Sequence, residues 1–545
     1  MRNVSQYIAG SGVLLGLMAC SGDSLNVANI NNPDVARAYA TPAGVEGVVA
    51  GLGVQLNNPQ RATESVNTQA KIFGGENIAS VANFGMAARS QIPRSIISNE
   101  LGNDNQVGNL ANFNAFSRVA RTGANAVAAI NRLATNRQTI GSPAQDARAK
   151  AFGFFIIGQA LGNLALAYDS AAIVTPATPS DEVPKLSGAT AVAAAALAML
   201  DSAIAIANSP AATTGANGFP LPSTWISGVS LTRDNFVRLA RSFKARYRAG
   251  VPRTPAQRAA VDWAAVIADA TNGITANHEI QMGGGSGWSA GYDFSQMYSV
   301  GGWHALPYFY FGMADVSGAY DAWLAQPVNS RRNFTVVTPD RRWPAGATRA
   351  AQQATAPSPA PPPGVYMRNR PTGEDVPLVG PGDSQYDHRR YGTSFLAGAI
   401  GRYVDMSKTE IDMLAAEGYI RTGNLPAATA LVNVTRERNG LDPIGAVSSA
   451  TAPYSTNLAT CVPRVPQAPS FTVTACGGLL EAMKYEKRME VAYTGYFIMF
   501  SDNRGWGDLV AGTPVEWPVP YQEMQARQQP YYNGSNRSGA STYGF

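Results

Sequence analysis

Apolar residues fall along this chain in blocks of helical spacing, separated by stretches rich in Gly, Pro, Asn and Ser. The clearest block follows Ser407-Lys408-Thr409-Glu410, a hydroxyl N-cap with a glutamate three residues on. Ile411, Leu414, Ala415, Gly418 and Tyr419 then recur on one helical face. Thr422-Gly423-Asn424 ends that helix and caps the next, predicted over Leu425–Asn439. A helix–turn–helix of this size has the dimensions of a tetratricopeptide unit, although the consensus of about 34 residues is not repeated. Ser142-Pro143-Ala144-Gln145 and Thr254-Pro255-Ala256-Gln257 are two further starts, with proline at the first helical position. The remaining periodic blocks predict helices at Pro42–Leu56, Leu110–Ala134, Ala189–Ala207, Arg233–Ala249, Ala256–Asn272 and Leu479–Tyr493. The expected fold is mainly α: a degenerate tetratricopeptide-like helix-turn-helix superhelix with long irregular loops.

Periodicity fails between about Gly283 and Gly401. Residues 275–400 therefore read as a loop-rich excursion from the helical body, opened by Gly283-Gly284-Gly285-Ser286-Gly287-Trp288 and interrupted by Pro361-Pro362-Pro363. Loops of this length are commonly functional. This one gathers Trp288, Tyr292, Phe294, Tyr298, Trp303, Tyr308, Tyr310, Tyr320 and Trp323. Flat rings suit the apolar faces of sugars, and Trp288, Tyr292 and Trp303, set among glycines, are the expected ligand contacts. The plainer role for any of them is to pin the loop to the body. The Asn- and Gln-rich loop Asn99–Asn114 is a second candidate. Ala151–Tyr168 carries no formal charge and is long enough to cross a membrane, but its Gln159, Asn163 and glycines read as a buried core helix.

Composition narrows the function. The 545 residues carry 42 Lys+Arg against 37 Asp+Glu, a net charge of +5 too dispersed for a nucleic-acid footprint. The three histidines and three cysteines are too scattered for a zinc site, so no metal is expected. Gly285-Ser286-Gly287-Trp288-Ser289-Ala290 fits a loose G-x-G-x-x-A but lacks the strand before and the helix after, and no cofactor is expected.

Residues 1–19 read as an export signal. A positive start precedes a short apolar run and Leu17-Met18-Ala19-Cys20, which resembles the lipobox of bacterial lipoproteins. Cys20 would be the lipidated residue, anchoring the chain without spanning the bilayer. With Cys20 acylated, Cys461 and Cys476 form an even pair that reads as one disulfide closing a loop. The alternative is two buried free thiols.

The last third carries a family resemblance. Glu486, Arg488 and Glu490 in Tyr485–Val491, then Gly495 and Asp502-Asn503-Arg504-Gly505-Trp506-Gly507, resemble the E-x-R-x-E helix, glycine and D-x-x-R-W-G turn of the SusD/RagB family. Trp517-Pro518-Val519-Pro520 is similar to that family's proline-flanked end, and Ala416-Glu417-Gly418-Tyr419 and Phe243-Lys244-Ala245-Arg246 to its helices. Two extra residues before Trp506 mark a divergent branch. The resemblance implies one SusD-like body over 20–545, with 401–545 the family-like part. It further implies an outer-membrane, cell-surface lipoprotein that binds glycans or other oligomeric nutrients and hands them to a TonB-dependent β-barrel transporter, without catalysis. Glu486 and Glu490 lie one turn apart, as a glycosidase pair could. Flanked by Met483, Met489 and Val491, they read instead, with Arg488, as a buried ion-pair lattice. A lipid-anchored glycosidase and a helical scaffold lipoprotein remain the alternatives.

Overall fold

The computed structural model describes residues 38–79, 85–102, 107–213, 218–295, 304–357, 361–375 and 382–545. The signal segment, Cys20 and Trp303 lie outside them.

Local chemistry sets the helices. Thr41 caps α1 (Pro42–Gln60) and Ser65 caps α2 (Val66–Phe73). After α3 (Val107–Thr135), the Ser142 hydroxyl accepts the Gln145 N–H at 3.2 Å and starts α4 (Pro143–Ala167). α5 (Ala189–Ala207) and α6 (Arg233–Gly250) follow. The single helix expected over Ala256–Asn272 is two. Pro255–Ala259 ends early, and Asp262 accepts the Ala265 N–H to start α7 (Trp263–Thr271). Asp262 is itself a strong N-cap, so it begins a new helix where continuity was expected. The capping box at Ser407 and the cap at Asn424 start α8 (Lys408–Arg421) and α9 (Leu425–Arg438) as anticipated. The chain ends with α10 (Leu479–Val491), α11 (Ile498–Trp506), α12 (Tyr521–Ala526) and a long tail.

Most of these helices pack on their neighbours in sequence: α1 on α3, α3 on α4, α4 on α5, α5 on α6, α6 on α7, α7 on α8 and α8 on α9. This is the stacked arrangement of a helix–turn–helix superhelix. α4 is its spine. Phe152, Phe155, Ile157, Leu161 and Leu164 are all at most 1% exposed, so this apolar helix is core. A Cβ at Gly162 would stand 2.4 Å from the Tyr247 ring, so only glycine lets α4 and α6 approach this closely.

The excursion leaves and returns at one place. Strand His278–Met282 pairs antiparallel with Gly401–Met406, with Ile280 opposite Tyr403 and Met282 opposite Gly401. Its rings join the core of the helical body. Tyr308, Tyr310 and Tyr320 are at most 2% exposed, and their hydroxyls donate to the carbonyls of Phe334 (2.6 Å), Asp508 (2.7 Å) and Phe309 (2.6 Å). Tyr308 stacks on Phe334 with centroids 4.1 Å apart. Cys461 and Cys476 are joined by a disulfide at the base of the hairpin Arg464–Pro466/Thr474–Cys476.

Candidate functional site

The charged residues of α10 point into the protein. Glu486 is fully buried and Glu490 is 3% exposed. Both pair with Arg342 of the excursion, at 2.9 and 3.2 Å, and Asp340 holds the same guanidinium at 2.8 Å. Burial pushes the Glu486 carboxyl up, against the pull of Arg342 and Arg436. Burial also raises Glu490, but Arg342, Arg390 and Arg438 outweigh it and hold the group below its ordinary range. Arg488 pairs with Asp508 and donates to the Asn503 side chain at 2.9 Å. Lys487 pairs with Asp502 at 2.8 Å, and Asp502 also takes Arg258 at 3.0 Å. No substrate bond can reach an acid pair enclosed in this way. The sequence pattern marked the glutamates as structural, while Arg342, which joins them, carried no signal of its own.

The aromatic residues of the excursion divide. Trp288 is 6% exposed, and its ring packs against the backbone at Gly53 of α1, where a Cβ would stand 3.0 Å away. The flanking glycines turn the chain (φ of +80° at both Gly285 and Gly287), but the indole folds inward rather than into the opening. Tyr292 lies in the short helix Gly291–Ser295. The Asn99–Asn114 stretch is not one polar loop. Asn109 and Asn112 lie on α3 and are buried, with Asn112 accepting the Val66 N–H at 2.6 Å and donating to Pro59 at 2.8 Å.

Asn99 itself builds a surface site. At 1% exposure, its amide nitrogen donates to the carbonyls of Val519 (2.8 Å) and Tyr532 (3.0 Å), and its oxygen accepts the Tyr521 N–H (3.0 Å). Its own N–H donates to the Asn533 side chain at 2.6 Å. These bonds fasten the tail to the segment 96–101 and display a ledge of rings. Tyr531 and Tyr532 are 40% and 39% exposed, Tyr521 stands 6.2 Å from Tyr531, and Ile96 and Leu101 of the fastened segment are exposed as well. Half-open tyrosines beside amides present apolar faces and hydrogen-bonding edges together. The run Gln529-Pro530-Tyr531-Tyr532-Asn533-Gly534 was the available signal in the sequence for this ledge, and its position at the tail's turn gave no hint of a partner loop.

The Tyr532 hydroxyl donates to both carboxylate oxygens of Asp169, at 2.9 and 2.7 Å. Burial pushes Asp169 up to about 6 from an ordinary 3.8, the Tyr532 bond opposing and Glu516 adding to the rise. The folded chain therefore holds a proton there, between about pH 4 and 6, that the unfolded chain has released. This contribution to stability is full below that window and is lost as pH rises through the folded value. Asp169→Asn should remove it. Relative to the unaltered chain, the variant gains about 1–2 kcal/mol between pH 4 and pH 7, after allowance for solvent screening. Paired urea titrations at the two pH values measure the difference, and equal differences at both would show that Asp169 titrates normally.

No family model matches the sequence, and no curated protein does. In three dimensions the chain is similar to a SusD superfamily protein of Bacteroides thetaiotaomicron, with a TM-score of 0.54 and 11% identity over 91% of this chain and 100% of that one. It is also similar to a SusD superfamily protein of Bacteroides fragilis, with a TM-score of 0.52 and 13% identity over 90% and 98% of the two chains. The architecture is thus a mainly α, tetratricopeptide-like scaffold carrying long loops. It is the SusD fold.

Proposed function

We propose that the chain is a non-catalytic outer-membrane lipoprotein, anchored through Cys20, that captures neutral oligomeric nutrients, glycans foremost, and delivers them to a TonB-dependent transporter. The fold carries this reading, because the structural similarity covers nine-tenths of the chain. The tyrosine ledge supports it. Sugar rings would lie on Tyr531 and Tyr532, with the neighbouring amides as hydrogen-bonding partners.

Two measurements test it. A mild-detergent pull-down of the tagged native protein should recover a TonB-dependent β-barrel in stoichiometric amount, and its absence would remove the delivery step. Titration with a panel of neutral oligosaccharides should find binding that Tyr531→Ala/Tyr532→Ala weakens about tenfold or more. Unchanged affinity in that variant would move the ligand off the ledge.

A further inference from the structure

Asp169, the carboxylate that Tyr532 holds, also lines a cleft of about 830 Å³ between α5 and the tail. The size lies within the roughly 300–1,000 Å³ of small-molecule sites. One wall is apolar: Ala193, Ala194 and Leu197 of α5 stand there with Val251, Val261 and Val515. The floor is polar, and its charges are matched apart from Asp169, whose carboxylate accepts the Tyr532 hydroxyl. Arg253 pairs with Glu516 at 2.9 Å and donates its other N–H groups to the carbonyls of Val251 (2.6 Å), Ala165 (2.7 Å) and Tyr168 (2.9 Å). Arg248 is bound to Asp269 at 3.3 Å. The exposed rim residues Asp262 and Arg537 carry opposite signs. An anionic ligand entering this floor would lose hydration without gaining a counter-charge. A neutral one would meet exposed hydroxyl and amide groups on Thr190, Thr254, Gln257 and Asn536.

The backbone around the cleft excludes a strand-like guest. Its helical walls offer no ladder, and the tail beside them is already paired, the Val515 N–H donating to the Asn536 carbonyl at 3.1 Å. An extended peptide recognised through its main chain finds no edge here. A polyhydroxylated chain needs side-chain donors and acceptors against an aliphatic wall, and both are present. We infer that the cleft is a second subsite for a neutral oligosaccharide, joined to the ledge through the Tyr532–Asp169 contact, so that one long chain occupies both. This rests on the proposed glycan-binding function.

The test uses the full chain and neutral gluco- and xylo-oligosaccharides graded from dimer to octamer, titrated by calorimetry. Ala194→Trp fills the cleft from an exposed helix position, and Thr190→Trp does so from a second one. Each should lower affinity for hexamers and longer chains about tenfold while leaving dimers on the ledge unchanged. Equal hexamer affinity in folded variants, judged by unchanged melting temperature, overturns the cleft subsite and leaves the ledge standing. Failure of every neutral oligosaccharide to bind the unaltered chain overturns both readings. Binding of an uncharged peptide that Ala194→Trp abolishes would assign the cleft to peptide instead.

Discussion

Arg342→Met should lower folding stability by about 3–5 kcal/mol, the cost of leaving buried charge unmatched. The side chain is fully enclosed and is shared by three carboxylates, Asp340, Glu486 and Glu490. Arg436 stays 3.7 Å from Glu486 and Arg438 3.1 Å from Glu490, but of its described side-chain partners Asp340 keeps only the Tyr485 hydroxyl at 2.7 Å, so negative charge is left in excess. Proton uptake by Glu486, already pushed up by burial, relieves that excess in the variant. The loss should therefore shrink as pH falls toward 4, which reverses the usual acid sensitivity of an ion-pair lattice. Adding Glu486→Gln and Glu490→Gln to Arg342→Met should restore part of the stability. Urea unfolding at pH 7.5 and pH 4.5 checks all three expectations, and a loss under about 1 kcal/mol at the higher pH would mean that water reaches the lattice.

Arg504→Met is expected to cost about 3–4 kcal/mol by a different route. Among the described residues Arg504 has no salt bridge. It donates to the carbonyls of Leu166 (3.1 Å), Gly250 (2.8 Å) and Val515 (2.6 Å), at the ends of α4 and α6 and on the tail. Burial and the neighbouring Arg253 push its pKa down, so the guanidinium is held by carbonyl oxygens and by the negative ends of two helix dipoles. Methionine fills the space and leaves three buried acceptors without donors, each worth about 1–3 kcal/mol before relaxation. Lysine, with a point charge and no fork, should recover less than half of the loss. Thermal unfolding ranks the three forms. If lysine matches arginine, planar geometry is irrelevant at this position.

The helices with strong ends were legible. Ser142-Pro143, Ser407 and Asn424 are caps whose side chains make the bonds their chemistry promises, and α5 runs over the predicted Ala189–Ala207. The short helices α2 and α11 were not, because their stability comes from burial against distant segments rather than from a periodic face of their own. Asp262 shows the limit of periodicity: apolar spacing continues across it while its carboxylate starts a new helix. The excursion was visible as a failure of pattern. Its closing strands, by contrast, pair residues more than a hundred positions apart, which no local signal encodes. At the site, Glu486 and Glu490 declared themselves structural through their apolar neighbours. Trp288 misled because glycines open a backbone without determining which way a ring turns. The ledge depends on Asn99 meeting Tyr521 and Tyr532, across 422 and 433 positions, and so appears only in three dimensions.

The distances in sequence between buried partners also constrain the order in which the molecule can be completed. Arg61 waits for Asp405, 344 residues later, and Glu76 receives the N–H of Tyr493, 417 residues later. The first helices to leave a ribosome thus carry buried polar groups some of whose partners are synthesised hundreds of residues later. Until then these groups need water, and the early segment has reason to stay open. A chain built this way closes only when its last third arrives.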